Sequence, residues 1–402
     1  MRSAAPATSP RLEDRGETMR IALNLAVAGA LVALAGCSTL SSLNPFSSKK
    51  APSNPPAALA EFKPTLAVST AWTASIGKAG ENVFSPAVAR NSVFAAAADG
   101  ALARIEAATG RTLWRIDAGT RLTAGVGSDG NLVVVAGEKG AILAFDENGK
   151  QVWKAQASSE VLSAPAVGLG LVVVRSVDNS IAGFDAATGK RRWILQRSVP
   201  ALTLRSAPGI AIADGNAYVA LPGGRLLAVA LNNGGPRWEV AVGEARGATE
   251  LERVADTSGM PLLLGRDVCA VAYQGRAACV DGATGTARWV RNLSSDVGLG
   301  GDERFVFAAD DAGSLHAFTR EGASVWRNKQ LANRNLSAPL SFGRAVAVAD
   351  YEGYVHFLSR EDGSMLARAA TDGSPVMGTP VVAGSYAVFQ TRDGTVVALG
   401  VN

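Results

Sequence analysis

From about residue 65 onward the chain alternates short apolar runs with turn-forming residues. Runs such as NLVVVAG, LVVVRS, RFVFAAD and YAVFQT are too short for helices and are rich in Val and Phe. Unbroken apolar runs of this length read as strands covered on both faces. Most are followed by a turn such as Asp99-Gly100, Lys139-Gly140, Gly223-Gly224, Gln274-Gly275, Glu352-Gly353 or Asp393-Gly394. A second apolar strand then follows (AILAFD, SIAGFD), which is the pattern of a hairpin. No stretch of this region shows a convincing amphipathic-helix period.

The pattern repeats. A Gly followed four residues later by Trp recurs at Gly110/Trp114, Gly149/Trp153, Gly189/Trp193, Gly234/Trp238, Gly285/Trp289 and Gly322/Trp326. Gly363 opens a seventh instance whose Trp slot is Ala367, and Trp72 opens a similar strand with no repeat before it. The slots fall 42, 39, 40, 45, 51, 37 and 41 residues apart. Each unit opens with a short strand after a small residue and often Pro, as in Ser163-Ala164-Pro165, Ser206-Ala207-Pro208 and Ser337-Ala338-Pro339. The Trp strand closes the unit. Four strands at this period predict an all-β propeller of four-stranded antiparallel blades. The C-terminal unit stops before its Trp strand, and the N-terminal AWTASIG is a Trp strand with nothing before it. Joined, they make an eighth blade, close the ring and hide two sheet edges. A Trp ring at one place per blade serves first as packing between neighbours. Ala367 then implies weaker packing at one junction, or another side chain filling the gap.

The N-terminus follows different rules. Met19 and Arg20 precede an uncharged apolar run from Ile21 to Leu34. That run is shorter than the roughly 20 residues of a membrane-spanning helix and fits a secretory signal. Leu34-Ala35-Gly36-Cys37 has the form of a bacterial lipobox, in which Cys37 carries the lipid and becomes the first mature residue. Residues 1–36 are expected to be removed, with translation possible from Met19. Ser38 after the Cys favours the outer membrane over the inner. Residues 37–64, rich in Ser, Pro and Ala, read as lipid anchor and flexible tether, and residues 65–402 as the propeller.

Composition narrows the function. Charged residues are 18 % and hydrophobic ones 48 %, which suits a large buried core. The net charge is only +4 over 402 residues, which does not suggest a nucleic-acid partner. Two His and three Cys leave little material for a metal site.

The turns FDAATGKRRW and VDGATGTARW resemble the pyrroloquinoline-quinone repeat of eight-bladed quinoprotein dehydrogenases. They also resemble the BamB family of outer-membrane assembly lipoproteins, which uses the repeat without the cofactor. The enzyme class implies a quinone on the propeller axis, Ca²⁺, an Asp base and commonly an adjacent Cys pair. Cys269 and Cys279 are ten residues apart, no CxxCH motif occurs, and Asp falls mostly in repeat turns. The BamB resemblance covers essentially residues 34–402 and implies a lipoprotein signal, a tether and eight blades. It implies a non-enzymatic scaffold without cofactor, lipid-anchored at the outer membrane and facing the periplasm. Its partners would be the periplasmic domains of BamA within the β-barrel assembly complex, and transiently nascent β-barrel proteins. VPALTLRSAP at 199–208 is similar to the family's BamA-contacting loop, with Leu202, Leu204 and Arg205 at the contacting positions. ELERVAD at 250–256, in the longest insertion, places Asp256 at a contacting Asp, while Ser258 stands where a second Asp is typical. Alternation around Thr203 would put both leucines on one side of an extended loop. The residues alone also allow both leucines to tuck into the core, and Glu250, Glu252 and Asp256 to be a solvated face. A periplasmic ligand-binding propeller is the remaining alternative.

Cys269 and Cys279 flank the Gln274-Gly275 turn on strands expected to pair. A cross-strand disulfide between them depends on register, which the sequence leaves open. His316 and His356 occupy the same repeat position on neighbouring blades and read as blade packing. The Gly-rich stretches lack the strand-to-helix context of a nucleotide loop.

Overall fold

The computed structural model describes residues 54–204, 207–244, 248–249 and 252–401. Its strands form eight four-stranded antiparallel sheets. Seven are consecutive in sequence and are numbered here as blades 1 to 7; blade 3, for example, comprises Ala166–Gly168, Leu171–Arg175, Ser180–Asp185 and Arg191–Gln196. Blade 8 joins the two ends of the chain: Val68–Ser75 pairs antiparallel with Thr395–Val401, with Val68 opposite Val401 and Ser75 opposite Thr395. The closed ring of eight blades predicted from the repeat is therefore what forms. Among the described residues, no helix is long and apolar enough to cross a membrane.

The burial pattern explains the two kinds of strand in the sequence. The second strand of blade 3, Leu171–Arg175, is buried at every position because neighbouring blades cover both its faces. The outer strand of the same blade, Arg191–Gln196, lies at the rim and mostly alternates between exposed and covered positions. Among the described residues, each junction between neighbouring blades holds its own cluster of buried side chains.

Each repeat Trp works on the next blade rather than its own. Trp193 Nε1 donates to the carbonyl of Leu231 at 2.7 Å, in the last turn of blade 4. Trp72, Trp114, Trp153, Trp238, Trp289 and Trp326 make the same bond to Ala107, Glu147, Ala186, Gly282, Arg320 and Arg360 at 2.8–2.9 Å. The Gly of the next repeat lies against the ring. A Cβ on Gly234 would fall 2.7 Å from Trp193, and Gly234 has φ +73, so two independent constraints require glycine there. The Gly-x-x-x-Trp spacing thus links a residue that receives the preceding blade to one that reaches the following blade. Ala367 fits this logic. A Trp at that slot would reach for the last turn of blade 8, and that turn does not exist because the third and fourth strands of blade 8 come from opposite chain ends. Leu66 is buried in the same cluster as Ala367.

The boundary of the expected tether needs correction. Within residues 37–64, Ala57 to Pro64 belong to a segment laid along blade 7, followed by Thr65 and Leu66. Ala57 N–H donates to Ala332 O at 2.9 Å, and Thr65 and Leu66 both donate to Leu366 O. Arg334 donates to Ala57 O at 2.9 Å, Arg368 donates to Ala60 O at 3.1 Å, and Arg368 stands over the Phe62 ring. These bonds use backbone carbonyls, which a Pro- and Ala-rich composition does not reveal. The expected signal peptide and Cys37 lie outside the described residues.

Candidate functional site

In a propeller built this way, the turns between second and third strands share one face with the loops that connect blades. The candidate site lies on that face, on the loop after Arg191–Gln196 in blade 3. Leu202 projects from it, 48 % exposed, and Thr203 is exposed beside it. Leu204 is half-buried and lines a pocket shared with Arg175 and Asp256. The two leucines are therefore not equally presented, contrary to the simple alternation argument. Leu202 is the exposed one, and Leu204 is partly tucked in. Arg205 and Glu250 lie outside the described residues.

Asp256 has a different place from the one expected. It is 2 % exposed, beneath the loop rather than on its outer side. Its Oδ2 accepts the Leu204 backbone N–H, and its Oδ1 accepts that of Gly223 at 2.8 Å. The physical reason is simple: a loop backbone leaving the sheet has unpaired amides, and one carboxylate satisfies two of them from two blades' loops. Burial pushes the Asp256 carboxyl above its usual range, against the lowering pull of the Gly223 and Leu204 amides and of Arg175. Arg175 faces it from blade 3, 6 % exposed. Burial lowers its guanidinium to about 10, and Asp256 pulls the other way. Ser258, where the family's second Asp is typical, is buried and donates to Ser295 O at 2.8 Å, bridging toward blade 6. Glu252 caps its own turn by accepting the Ala248 and Thr249 amides, which hold its carboxyl below the usual range.

The other candidates are structural. Cys269 and Cys279 stand directly opposite each other in the register of Asp267–Ala272 with Arg276–Asp281, and a disulfide joins them at a Cα–Cα distance of 4.0 Å. His316 and His356 each place Nε2 2.9 Å from an aspartate six residues earlier, Asp310 and Asp350 respectively. His356 is fully buried, and Arg368 donates to its Nδ1 at 3.3 Å, so the His356 network also supports the arginines that clamp residues 57–62. Sequence reasoning missed this network, as well as Arg175.

The hub tests the cofactor expectation. The first strands line a channel section of about 400 Å³ with residues such as Ala87, Val126, Val167, Ile212, Met260 and Val381. Its continuation is walled by Leu262, Leu299, Pro339 and Val382. A carboxylate-bearing quinone with its Ca²⁺ needs cationic partners and acidic ligands at this depth. Among the described residues the lining supplies neither charge, so these residues do not fit that group. Glu81 and Asp296 stand only at the loop-face mouth.

The fold and site together define a class: a tryptophan-docked eight-bladed propeller with an apolar hub and a leucine-bearing loop pinned by a buried carboxylate. The family profile described as "Outer membrane protein assembly factor BamB" matches residues 68–120, 98–328 and 312–402. The chain is 43 % identical over 374 residues to the outer membrane protein assembly factor BamB of Bordetella pertussis, covering 92 % of this chain and 95 % of that one. It is 41 % identical to that of Burkholderia pseudomallei, covering 94 % and 97 %. The crystal structure of BamB from Moraxella catarrhalis superposes with a TM-score of 0.76 at 25 % identity, covering 83 % of this chain and all of that one. The chain belongs to the BamB family of outer membrane protein assembly factors. The quinohemoprotein alcohol dehydrogenase of Comamonas testosteroni shares the fold, with a TM-score of 0.66 at 13 % identity over 83 % of this chain and 76 % of that one.

Proposed function

We propose that this chain is a non-enzymatic scaffold subunit of the outer-membrane β-barrel assembly machinery. Cys37 carries the lipid once residues 1–36 are removed and holds the propeller at the periplasmic side of the outer membrane. The loop bearing Leu202, Leu204 and Arg205 docks on the periplasmic domains of BamA, and the subunit thereby assists insertion of β-barrel proteins. Asp256 supports that contact from beneath by fixing the loop backbone.

The observation that carries the reading is Leu202. A leucine left nearly half exposed at a loop tip, above a base tied down by a buried carboxylate, is an apolar anchor already ordered for a partner. Exposed outer strands also offer backbone edges to nascent strands. The test is co-purification of BamA from detergent-solubilised envelope with Leu202→Asp. We expect BamA to be lost while the thermal melt of the propeller stays within a few degrees of the unaltered chain. Undiminished BamA recovery contradicts the reading, and so does a collapsed melt, since that would make Leu202 a core residue.

A further inference from the structure

Arg175 is out of place in its own repeat. It sits opposite Ile181, at the end of the second strand of blade 3. Six of the other seven blades carry Ala or Val at that register position, as at Ala96, Ala136 and Val271. A guanidinium 94 % removed from water requires acceptors for its N–H groups, because an unpaired buried charge is among the most costly features a fold can hold. Arg175 Nε nevertheless has no hydrogen-bond partner among the described residues. Its nearby counter-charge, Asp256, accepts the amides of Leu204 and Gly223, one on each oxygen, and makes no hydrogen bond to Arg175 among the described residues. Asp256 therefore balances Arg175 through space without occupying its donors.

The Arg175 side chain lines a pocket. A cavity of about 270 Å³ lies beneath the leucine loop, with Arg175 and Asp256 in its lining. Leu162, Val177, Leu204, Pro208 and Pro222 supply apolar walls. The shape of the chemistry is a cationic, planar donor fork behind an aliphatic collar. A carboxylate matches the fork, and a short methylene stem matches the collar.

We propose that this pocket receives an acidic side chain, aspartate or glutamate, presented by the partner protein that docks on the Leu202 loop. This rests on the reading of that loop as a partner surface and deepens it. Leu202 supplies an apolar contact outside the loop, and Arg175 supplies a charged socket beneath it. The incoming carboxylate completes the hydrogen bonds that Asp256 leaves unmade. Leu204, shared between the pocket wall and the Asp256 bond, couples the two contacts.

The test uses the mature lipidated chain in detergent, labelled with ¹⁵N at arginine. The Arg175 Nε–Hε resonance is assigned by its loss in Arg175→Lys. Glutarate, the neutral glutaramide and purified periplasmic domains of BamA are titrated separately. We expect a saturable shift of that resonance with glutarate and none with glutaramide. The BamA domains should also move it, and replacing one particular BamA acid by its amide should abolish the shift. Arg175→Met should weaken binding of those domains roughly 30-fold or more, as for the loss of one member of a buried charge pair. No shift with glutarate, or equal shifts with both small molecules, overturns the carboxylate pocket. BamA domains that bind tightly without moving the resonance overturn the partner as the source of the acid. If those domains do not bind the unaltered chain at all, the functional reading falls, and the glutarate titration still decides the pocket.

Discussion

Replacing Asp256 by Ala removes the acceptor for two backbone donors, Leu204 N–H and Gly223 N–H, and the counter-charge of buried Arg175. Each buried donor left unsatisfied costs about 1–3 kcal/mol, and stripping a buried charge of its partner adds to that. The exposed loop can relax by opening to water, which returns part of the cost. The net loss should therefore be about 2–4 kcal/mol, concentrated in residues 199–204. The informative assay is hydrogen exchange at the Leu204 amide: an opening free energy lowered by about 2 kcal/mol speeds exchange roughly 30-fold. Asp256→Asn keeps one acceptor and loses the charge, so it should fall between. The pH dependence has a definite sign. Burial raises the Asp256 carboxyl above its unfolded value of 3.8, so its ionised form is disfavoured in the fold, and the parent gains stability as pH falls through the folded value. The Asn variant does not titrate at this site, so it lacks that pH dependence. Unchanged Leu204 protection in Asp256→Ala would refute the view that this carboxylate holds the loop.

Trp193→Ala removes a ring buried to 8 % exposure, together with its bond to Leu231, and should cost about 3–5 kcal/mol in denaturant titration. A loss below about 1 kcal/mol would contradict its role as the tie between blades 3 and 4. Deleting residues 56–64 of the chain removes the bonds from Arg334 and Arg368 to Ala57 and Ala60, so limited proteolysis should first open the blade 7–8 junction. First cleavage elsewhere in the propeller would show that the segment is not a clasp. Burial, partly offset by Asp350, holds His356 below 6.5. Its neutral form is thus built into the fold, and stability is lost as pH drops below about 6.5. The melting temperature should fall between pH 7 and pH 5, and His356→Gln should flatten that fall; an equal slope in the variant would exclude His356 as its source.

The ring was readable because its constraint is periodic. Gly and Trp recur at fixed spacing, and the unmatched strands at the two ends can only be completed by each other. Which blade each Trp serves was not readable, since Gly and Trp of one repeat look like partners and instead contact opposite neighbours. The clasp over residues 57–66 was hidden because its bonds run from arginine side chains and backbone amides to carbonyls, which any sequence can supply. The burial of Asp256 was not legible, because an aspartate in a long insertion looks solvated until its two amide donors are seen. Arg175 did leave a signal. Aligning the second strands of the blades shows one arginine at the end of otherwise apolar LVVVR, and that misfit marked the pocket.

BamA is proposed to dock on the loop face at Leu202. A photo-crosslinking amino acid placed at position 202 in the full chain tests it most directly, with position 169 as the control. Leu169 is 69 % exposed and lies in the turn between the first two strands of blade 3, on the opposite face. A BamA adduct is expected from position 202 and none from position 169. An adduct from 169 with none from 202 would contradict it.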